Sequence, residues 1–507
     1  MTAGRNLGRV WNAAREPGKT ALVDLAFPDR PREISYAAFD AECAAVARGL
    51  LKRGLRRGDR VGILSLNRLE YLAAFFGTMQ AGMVTVPTSI KQPADAVRYI
   101  VRDSGAKLLF ADKDRLPLCP AGVPVVEFDQ PTGYAALRDP GPFDPVPVAV
   151  DETGMQLYTS GSTGRPKGVP LSHETQWWAL DIFKKMYGEA PEHRYIIAAP
   201  MFHMNATVSL KMALSTHARV VLLPQFNARA YAEAIARWQV TWLTSVPTMI
   251  ALMLREIDLM SSLDFSSVKR VTMGSAPLTQ ALIDKVQAQF SGVPINNSYG
   301  TTEAGPVVFG PHPDGRPRPP LAAGYPAPGG EVELREGPSP DEGVLYMRNP
   351  SVMKGYHNLP EQTAKVLKDG WYRSGDNFRR DRDGFFYFLG RADDMFVCGG
   401  ENIWPGEVEK MLERLDGVHQ AFVVPVPDEF KYQLPFAFIV KKPGITLDEK
   451  AVKEFALKNG PAYAHPRFVE FVPELTLAAT NKVDRRSLTQ RAERIVAARR
   501  ASHTSGR

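Results

Sequence analysis

Apolar residues recur along this chain in two alternating rhythms. In "SYAAFDAECAAVARGLLKRG" they fall on one face at helical spacing and stop at Gly54, which predicts a helix. "RVGILSL" is a short apolar run of strand type. "LEYLAAFFGTMQAG" reads as helix again and "MVTVPTS" as strand. The strand runs "AKLLFAD", "ARVVLLP", "VTWLTSVP" and "VKRVTMG" come later. Helical segments such as "ARAYAEAIARW" and "LTQALIDKVQAQF" separate them. Repeated strand–helix–strand units predict an α/β fold with mainly parallel sheets covered by helices.

The rhythm breaks after Gly310. "PHPDGRPRPPLAAGYPAPGGEVELREGPSPDEGVLYMRN" is rich in proline and glycine with short strand runs, which predicts a small β subdomain over about 311–390. A second boundary falls at "GRADD", residues 390–394. Beyond it, Pro405 starts a helix whose apolar face is Val408, Met411, Leu412 and Leu415. The strands "QAFVVPVP", "PFAFIVKK" and "RFVEFVP" and the helix "LDEKAVKEFALKNG" complete an α+β domain. The expected division is therefore 1–392 and 393–507.

Composition narrows the class. The 507 residues exceed what one core supports, and 44% hydrophobic with 23% charged residues is ordinary for a globular protein. A net charge of +7 is small for this length, so nucleic acid is not an expected partner. Part of the excess lies in the arginines after Lys482, read as a solvated terminal helix that frays. Cys43, Cys119 and Cys398 lie far apart, which signals neither a disulfide framework nor a thiolate metal site. The first residues lack the apolar stretch of a secretory signal, and a cytoplasmic setting is expected. The uncharged run from Tyr71 to Ile90 carries Gly77, Gln80, Gly82 and Pro87. It reads as a buried helix then a buried strand, not as a transmembrane segment.

Chemistry concentrates in "YTSGSTGRPKGV", Tyr158 to Val169. Thr159, Ser160, Ser162 and Thr163 offer hydroxyls. Gly161 and Gly164 let backbone N–H groups turn inward, and Lys167 adds a point charge. This is not a Walker loop: Lys167 follows a proline, and the flanks "MQLYT" and "GVPLS" both read as strands. A plain mobile turn would use the same residue types, but three further stretches favour a nucleotide. "NNSYGTTEAGPV" sets Tyr299 beside a glycine, then hydroxyls, then Glu303; the aromatic face suits a purine and the carboxylate suits Mg²⁺. "DGWYRSGDNFRRD" puts Asp376 in what reads as a turn, where it could cap the chain or accept from ribose hydroxyls. "LAATNKVDRRSL" carries Lys482 in a polar turn.

Taken in order, these strings resemble the adenylate-forming superfamily of acyl- and aryl-CoA synthetases. "MGSAPLT", "WYRSGDNFRRDRDGFFYFLGRADD" and "CGGENIWPGEVE" extend the likeness from roughly Tyr36 to Arg486. The C-terminal strings are most similar to those of 4-chlorobenzoate, hydroxycinnamate and fatty-acid CoA ligases. The resemblance implies ATP, Mg²⁺ and coenzyme A as partners of a small carboxylic acid, and leaves a homodimer open. It implies that the hydroxyl-rich loop holds the β- and γ-phosphates, with Thr163 beside the metal. Gly274, Ser275, Ala276 and Pro277 would sandwich adenine against Tyr299, flanked by Asn297, Ser298, Gly300 and Thr301. Thr302 would contact the α-phosphate and Glu303 the Mg²⁺. Asp376 and Arg391 would bind ribose, Asp393 would be the hinge of a mobile C-terminal lid, and Lys482 the catalytic lysine. Gly399, Gly400 and Glu401 would lie beside the pantetheine, with Tyr463 and His465 toward the CoA nucleotide. His465 stands where related ligases carry an arginine, which leaves Arg467 as a substitute cation.

"APMFHMNATVSL" matches the family's acyl-pocket segment. Amino-acid-activating relatives carry an aspartate there; this chain has His203 between Phe202 and Met204, so an uncharged acyl body is expected. The resemblance implies that His203 is a gate or wall over the acyl-phosphate region; the alternative is a core histidine hydrogen-bonded to backbone. Val246, Met273, Gly300, Pro306, Val307 and Val308 are the other expected wall residues. The expected function is an AMP-forming carboxylic acid–CoA ligase for an aromatic or medium-chain acid. The rivals are a synthetase loading a separate carrier protein, a long-chain fatty-acid ligase, a luciferase-like oxygenase and a non-catalytic nucleotide-binding regulator.

Overall fold

The computed structural model describes residues 3–159, 165–398, 401–428, 431–478 and 483–504. The chain divides into two compact units. One comprises Met1–Glu333 with Tyr346–Ser374, the other Leu334–Leu345 with Gly375–Arg507. The expected hinge Asp393 lies inside the second unit.

Two sheets form the frame of the first unit. Among the described residues one has six strands, in the order Lys167–Ser172, Thr153–Thr159, Val84–Pro87, Arg60–Leu64, Ala106–Ala111 and Val125–Glu127. The other has seven: Ile295–Ser298, Arg270–Gly274, Trp242–Ser245, Arg194–Ile197, Arg219–Leu222, Thr20–Asp24 and Arg32–Ser35. Neighbours are parallel except for one antiparallel edge pair in each sheet, Lys167–Ser172 on Thr153–Thr159 and Arg32–Ser35 on Thr20–Asp24. The near-continuous apolar runs explain this, because strands covered by helices on both faces have no wet side to mark.

Helix starts follow local capping. Ser35, Ser172, Asn227 and Thr279 each accept a backbone N–H from the first turn of the helix they precede. The helix Leu69–Gln80 is buried along its whole length and leads to the buried strand Val84–Pro87, as the uncharged run predicted. Among the described residues no helix is long and apolar enough to cross a membrane.

The second unit pairs the long strands Val418–Asp428 and Tyr432–Lys441 antiparallel, with Phe468–Phe471 added parallel to the latter. Val408, Met411 and Leu412 of the helix Pro405–Leu412 enter its core, with Leu415 packed alongside. The arginine-rich tail departs from expectation. The helix Arg485–Thr504 is docked, not frayed: Leu488, Ala492 and Val496 are buried at four-residue spacing. Arg491 pairs with Glu470, Arg499 with Glu449 and Arg500 with Asp428. The charges that suggested solvent are the rim of an apolar stripe.

Candidate active site

The hydroxyl-rich loop closes a strand pair, as its flanks predicted: Thr159 faces Lys167 across the ladder. Ser160, Gly161, Ser162, Thr163 and Gly164 lie outside the described residues. The two ends of the loop meet a third segment. Lys167 Nζ lies 3.3 Å from the Tyr356 hydroxyl and 4.3 Å from the centre of its ring. The same hydroxyl donates to Glu303 Oε1 at 3.0 Å, and Thr159 Oγ1 donates to that oxygen at 3.4 Å. Glu303 is 9% exposed, so it is no solvated turn residue.

Tyr356 was not legible as a site residue. "KGYHN" carries no chemical pattern, and only chain closure brings it here. His357 N–H donates to the Gly168 carbonyl at 2.8 Å, and Met353 N–H to the Glu303 carbonyl at 2.6 Å. These two bonds fasten the segment to both the hairpin and the acidic turn.

A second cluster sits at the carboxyl ends of adjacent parallel strands. Gly274 and Ser298 are register partners, so "GSAP" and "NSYGTTE" emerge side by side. A Cβ on Gly274 would lie 2.1 Å from Ser298 Oγ, which only glycine avoids. Ser275 has φ of 65°, a left-handed conformation uncommon outside glycine, and Asn205 Nδ2 donates to its hydroxyl at 3.2 Å. Asn205 was also missed by sequence reading. Asn297 is engaged structurally: its amide donates to the Leu321 carbonyl at 3.0 Å. Tyr299 is half-buried with its ring 5.9 Å from that of Phe309. Thr301 Oγ1 accepts from Ala304 N–H at 2.9 Å, building the short turn that carries Thr302 and Glu303. Gly300 allows a close approach, since a Cβ there would lie 2.7 Å from the Pro306 backbone.

The acyl candidates stand at a change of winding direction. After Arg194–Ile197 the chain goes to Arg219–Leu222 on one side, then returns to Trp242–Ser245 on the other. Such a reversal opens a crevice at the strand ends, where ligands bind in open α/β sheets. His203 follows the first of these strands and starts the helix Met204–Ser215; Val246 follows the third and starts Pro247–Met253. The His203 ring packs 4.4 Å from that of Phe202. Met204, Val246, Met273, Val307 and Val308 are buried and Pro306 half-buried, an uncharged set.

In the second unit, Asp376 is not in a turn. It lies in the strand Trp371–Arg380, opposite Arg391 across an antiparallel pair. Burial is continuous from Ser374 to Phe378, and the polar residues around Asp376 hide it in the sequence. Burial lowers the His465 pKa; its bond to the Ala462 carbonyl opposes this and the Arg467 charge reinforces it. Nδ1–H donates to Ala462 at 2.7 Å, and Nε2 accepts from Arg467 Nη1 at 2.7 Å. His465 is thus a neutral acceptor that orients a cation. Tyr463 packs against the unit's core. Gly399, Gly400 and Lys482 lie outside the described residues, as do the side chains of Asp393 and Glu401. Leu477 and Val483 bridge across the segment that carries Lys482.

Among the described residues no cluster of three or more histidine, cysteine or acidic side chains could hold a metal. Glu303 fits a cation that arrives with its own ligands. Both donors go to Oε1, and among the described residues none reaches Oε2. A single hard carboxylate plus substrate phosphates is how Mg²⁺ is usually held with nucleotides.

Residues 10–357 match the AMP-binding enzyme family, and residues 407–482 match the AMP-binding enzyme C-terminal domain. The chain belongs to the AMP-binding enzyme family. Among similar members, a feruloyl-CoA synthase from Amycolatopsis sp. is 32% identical, over 89% of this chain and 92% of its own. A fatty acid–[acyl-carrier-protein] ligase, ScoC of Streptomyces coeruleorubidus, is 30% identical over 95% of each chain. Among solved structures, the anthranilate CoA ligase AuaEII in complex with anthranoyl-AMP is 26% identical with a TM-score of 0.89, covering 98% of this chain and 99% of that one. The AMP-binding enzyme fold accounts for both units of this chain.

Proposed function

We propose that this AMP-binding enzyme activates an aromatic carboxylic acid with ATP and transfers the acyl group to coenzyme A. It is an acid–thiol ligase of the AMP-forming class. The observation that carries the reading is the pairing of two clusters in one unit. An acidic and basic pair, Glu303 and Lys167, meets at Tyr356, and an uncharged crevice opens at the neighbouring strand ends beside His203 and Val246.

The chemistry explains the need for both. A carboxylate is a poor acyl donor, because its leaving group would be oxide. Its oxygen attacks the α-phosphorus of ATP, the bond to the β-phosphate oxygen breaks, and pyrophosphate leaves. Both reactants are anions, so attack needs positive charge aimed at the transferring group. Lys167 and the loop it closes would bind the β- and γ-phosphates, and Thr302 the α-phosphate. Mg²⁺ entering with the nucleotide would be held by Glu303, with Thr163 beside it, and supplies charge neutralisation. Gly274 to Pro277, with Tyr299, would hold adenine; Asp376 and Arg391 would hold the ribose. Lys482 would stabilise the charge that develops as the acyl–AMP bond forms. The CoA sulfur then attacks the acyl carbonyl and AMP departs, a far better leaving group. Asp393 is assigned the hinge between the two steps. Glu401, Tyr463 and His465 are assigned to CoA, with Arg467 as the cation that His465 orients.

The uncharged set Met204, Val246, Met273 and Val307 supports an acyl body without charge, and Gly300 against Pro306 supports a flat one. The feruloyl and anthranilate specificities named for the relatives above agree with this. A second reading, delivery to a carrier protein, is favoured by the likeness to ScoC. One experiment tests both. Purified protein is offered ATP, Mg²⁺ and a panel of aromatic and C2–C16 acids, with CoA or a phosphopantetheinylated carrier as acceptor. CoA thioester from an aromatic acid is expected. Carrier loading without CoA thioester would establish the second reading, and no ATP–pyrophosphate exchange with any acid would overturn both.

A further inference from the structure

Tyr356 occupies a position that the reaction scheme leaves without a role. Its hydroxyl donates to Glu303 Oε1 at 3.0 Å and lies 3.3 Å from Lys167 Nζ, which also sits over the ring at 4.3 Å. The residue is 7% exposed, and its own N–H donates to Thr363 Oγ1 at 2.9 Å, which anchors its backbone. One phenol therefore satisfies two opposite charges at once. It gives its proton to the carboxylate and offers its oxygen to the ammonium.

We propose that Tyr356 is a positioning residue for the magnesium–nucleotide. It holds Glu303 with Oε2 presented to the cation, and it parks Lys167 until a phosphate takes the ammonium over. Three features support this role over simple packing. Both hydroxyl contacts go to the groups assigned to metal and phosphate. Thr159, at the start of the phosphate loop, donates to the same carboxylate oxygen. The bond to Glu303 is charge-assisted in a buried setting, where such bonds are stronger than in water. The inference rests on the reading of Glu303 and Lys167 given above.

The test separates this inference from that reading. Tyr356→Phe keeps the ring and the cation–π contact and removes one oxygen. Calorimetric binding of a non-hydrolysable ATP analogue is measured with and without Mg²⁺. The variant is expected to bind the magnesium complex about tenfold more weakly, the loss typical of a hydrogen bond to a charged group, with little change in metal-free binding. Thioester formation from supplied acyl-adenylate should be unchanged, since that step uses no magnesium–ATP. Unaltered magnesium dependence would overturn the proposal, as would an equal loss in both half-reactions. If the wild-type protein binds no nucleotide analogue at all, the reading of the site fails first. Should Tyr356→Phe not fold, 3-fluorotyrosine at position 356 of the otherwise native chain replaces it. Its fluorine resonance must move on adding the magnesium–analogue complex, and an unmoved resonance would overturn the proposal.

Discussion

Arg391 Nη1 lies 2.9 Å from Asp376 Oδ1 across an antiparallel strand pair. Asp376 is 6% exposed, while the arginine side chain is 47% exposed. An ion pair with one partner this open contributes about 1 kcal/mol or less to stability. Asp376→Asn keeps the side-chain size and a hydrogen-bond acceptor at this position, so the denaturation midpoint should move little. The same change removes the anionic acceptor assigned to ribose, so KM for ATP should rise by about tenfold while KM for the acid stays. A large loss of stability with unchanged ATP affinity would assign the pair to folding instead.

Lys482→Ala should slow acyl-adenylate formation by about 10²–10³, the cost of losing one aimed charge donor. Thioester formation from synthetic acyl-adenylate should be largely spared. Single-turnover assays of each half-reaction decide this, and equal losses would refute a role confined to the first step.

Gly300→Ala places a methyl group 2.7 Å from the Pro306 backbone, where no side chain can swing aside. Overpacking of this kind typically costs about 1–3 kcal/mol. Urea denaturation should show that loss, and the acid panel should shift toward smaller acids as the turn is pushed into the crevice. A variant with native stability and native acid preference would show that Gly300 does not shape the pocket.

His173 and Glu413 should contribute to the acid response in opposite senses. Burial holds the His173 imidazole down to about 4, with nearby Glu152 opposing this. Its Nδ1 accepts from Leu7 N–H at 2.9 Å, so the folded ring is neutral. Between its ordinary value near 6.5 and 4 the unfolded chain binds the proton more readily, so the first unit loses stability as pH falls through that window. In the second unit, burial pushes the Glu413 carboxyl up to about 7, against its bond from Ala421 N–H. There the folded chain holds the proton more tightly, and that stability is lost as pH rises from about 4.5 through 7. Hydrogen exchange resolved by segment at pH 5 and 7 measures both. His173→Gln should flatten the first response and Glu413→Gln the second; slopes unchanged by these substitutions would contradict the assignment.

Much of this was legible early because the signals are local. The strand "MQLYT", the loop and the strand "GVPLS" are contiguous, so their hairpin follows from turn chemistry and apolar runs alone. "NSYGTTEAG" likewise declared its aromatic, hydroxyl and acidic groups. Tyr356 and Asn205 were hidden because their partners are remote in sequence. Tyr356 meets Lys167 and Glu303, and Asn205 meets Ser275. Asp376 was misplaced and the tail arginines misread for a related reason: local polarity says that a residue prefers water or a partner, not which of the two it obtains.

The sequence by itself determined the kinds of element, their order and the inventory of reactive groups, because periodicity, caps and glycine punctuation act over a few residues. Only the tertiary structure decided which charges share a buried setting. Bringing Glu303, Lys167 and Tyr356 to one hydroxyl depends on strand order and on long-range closure of the chain. Those are set by the packing of whole sheets and helices, and no short stretch of residues encodes them.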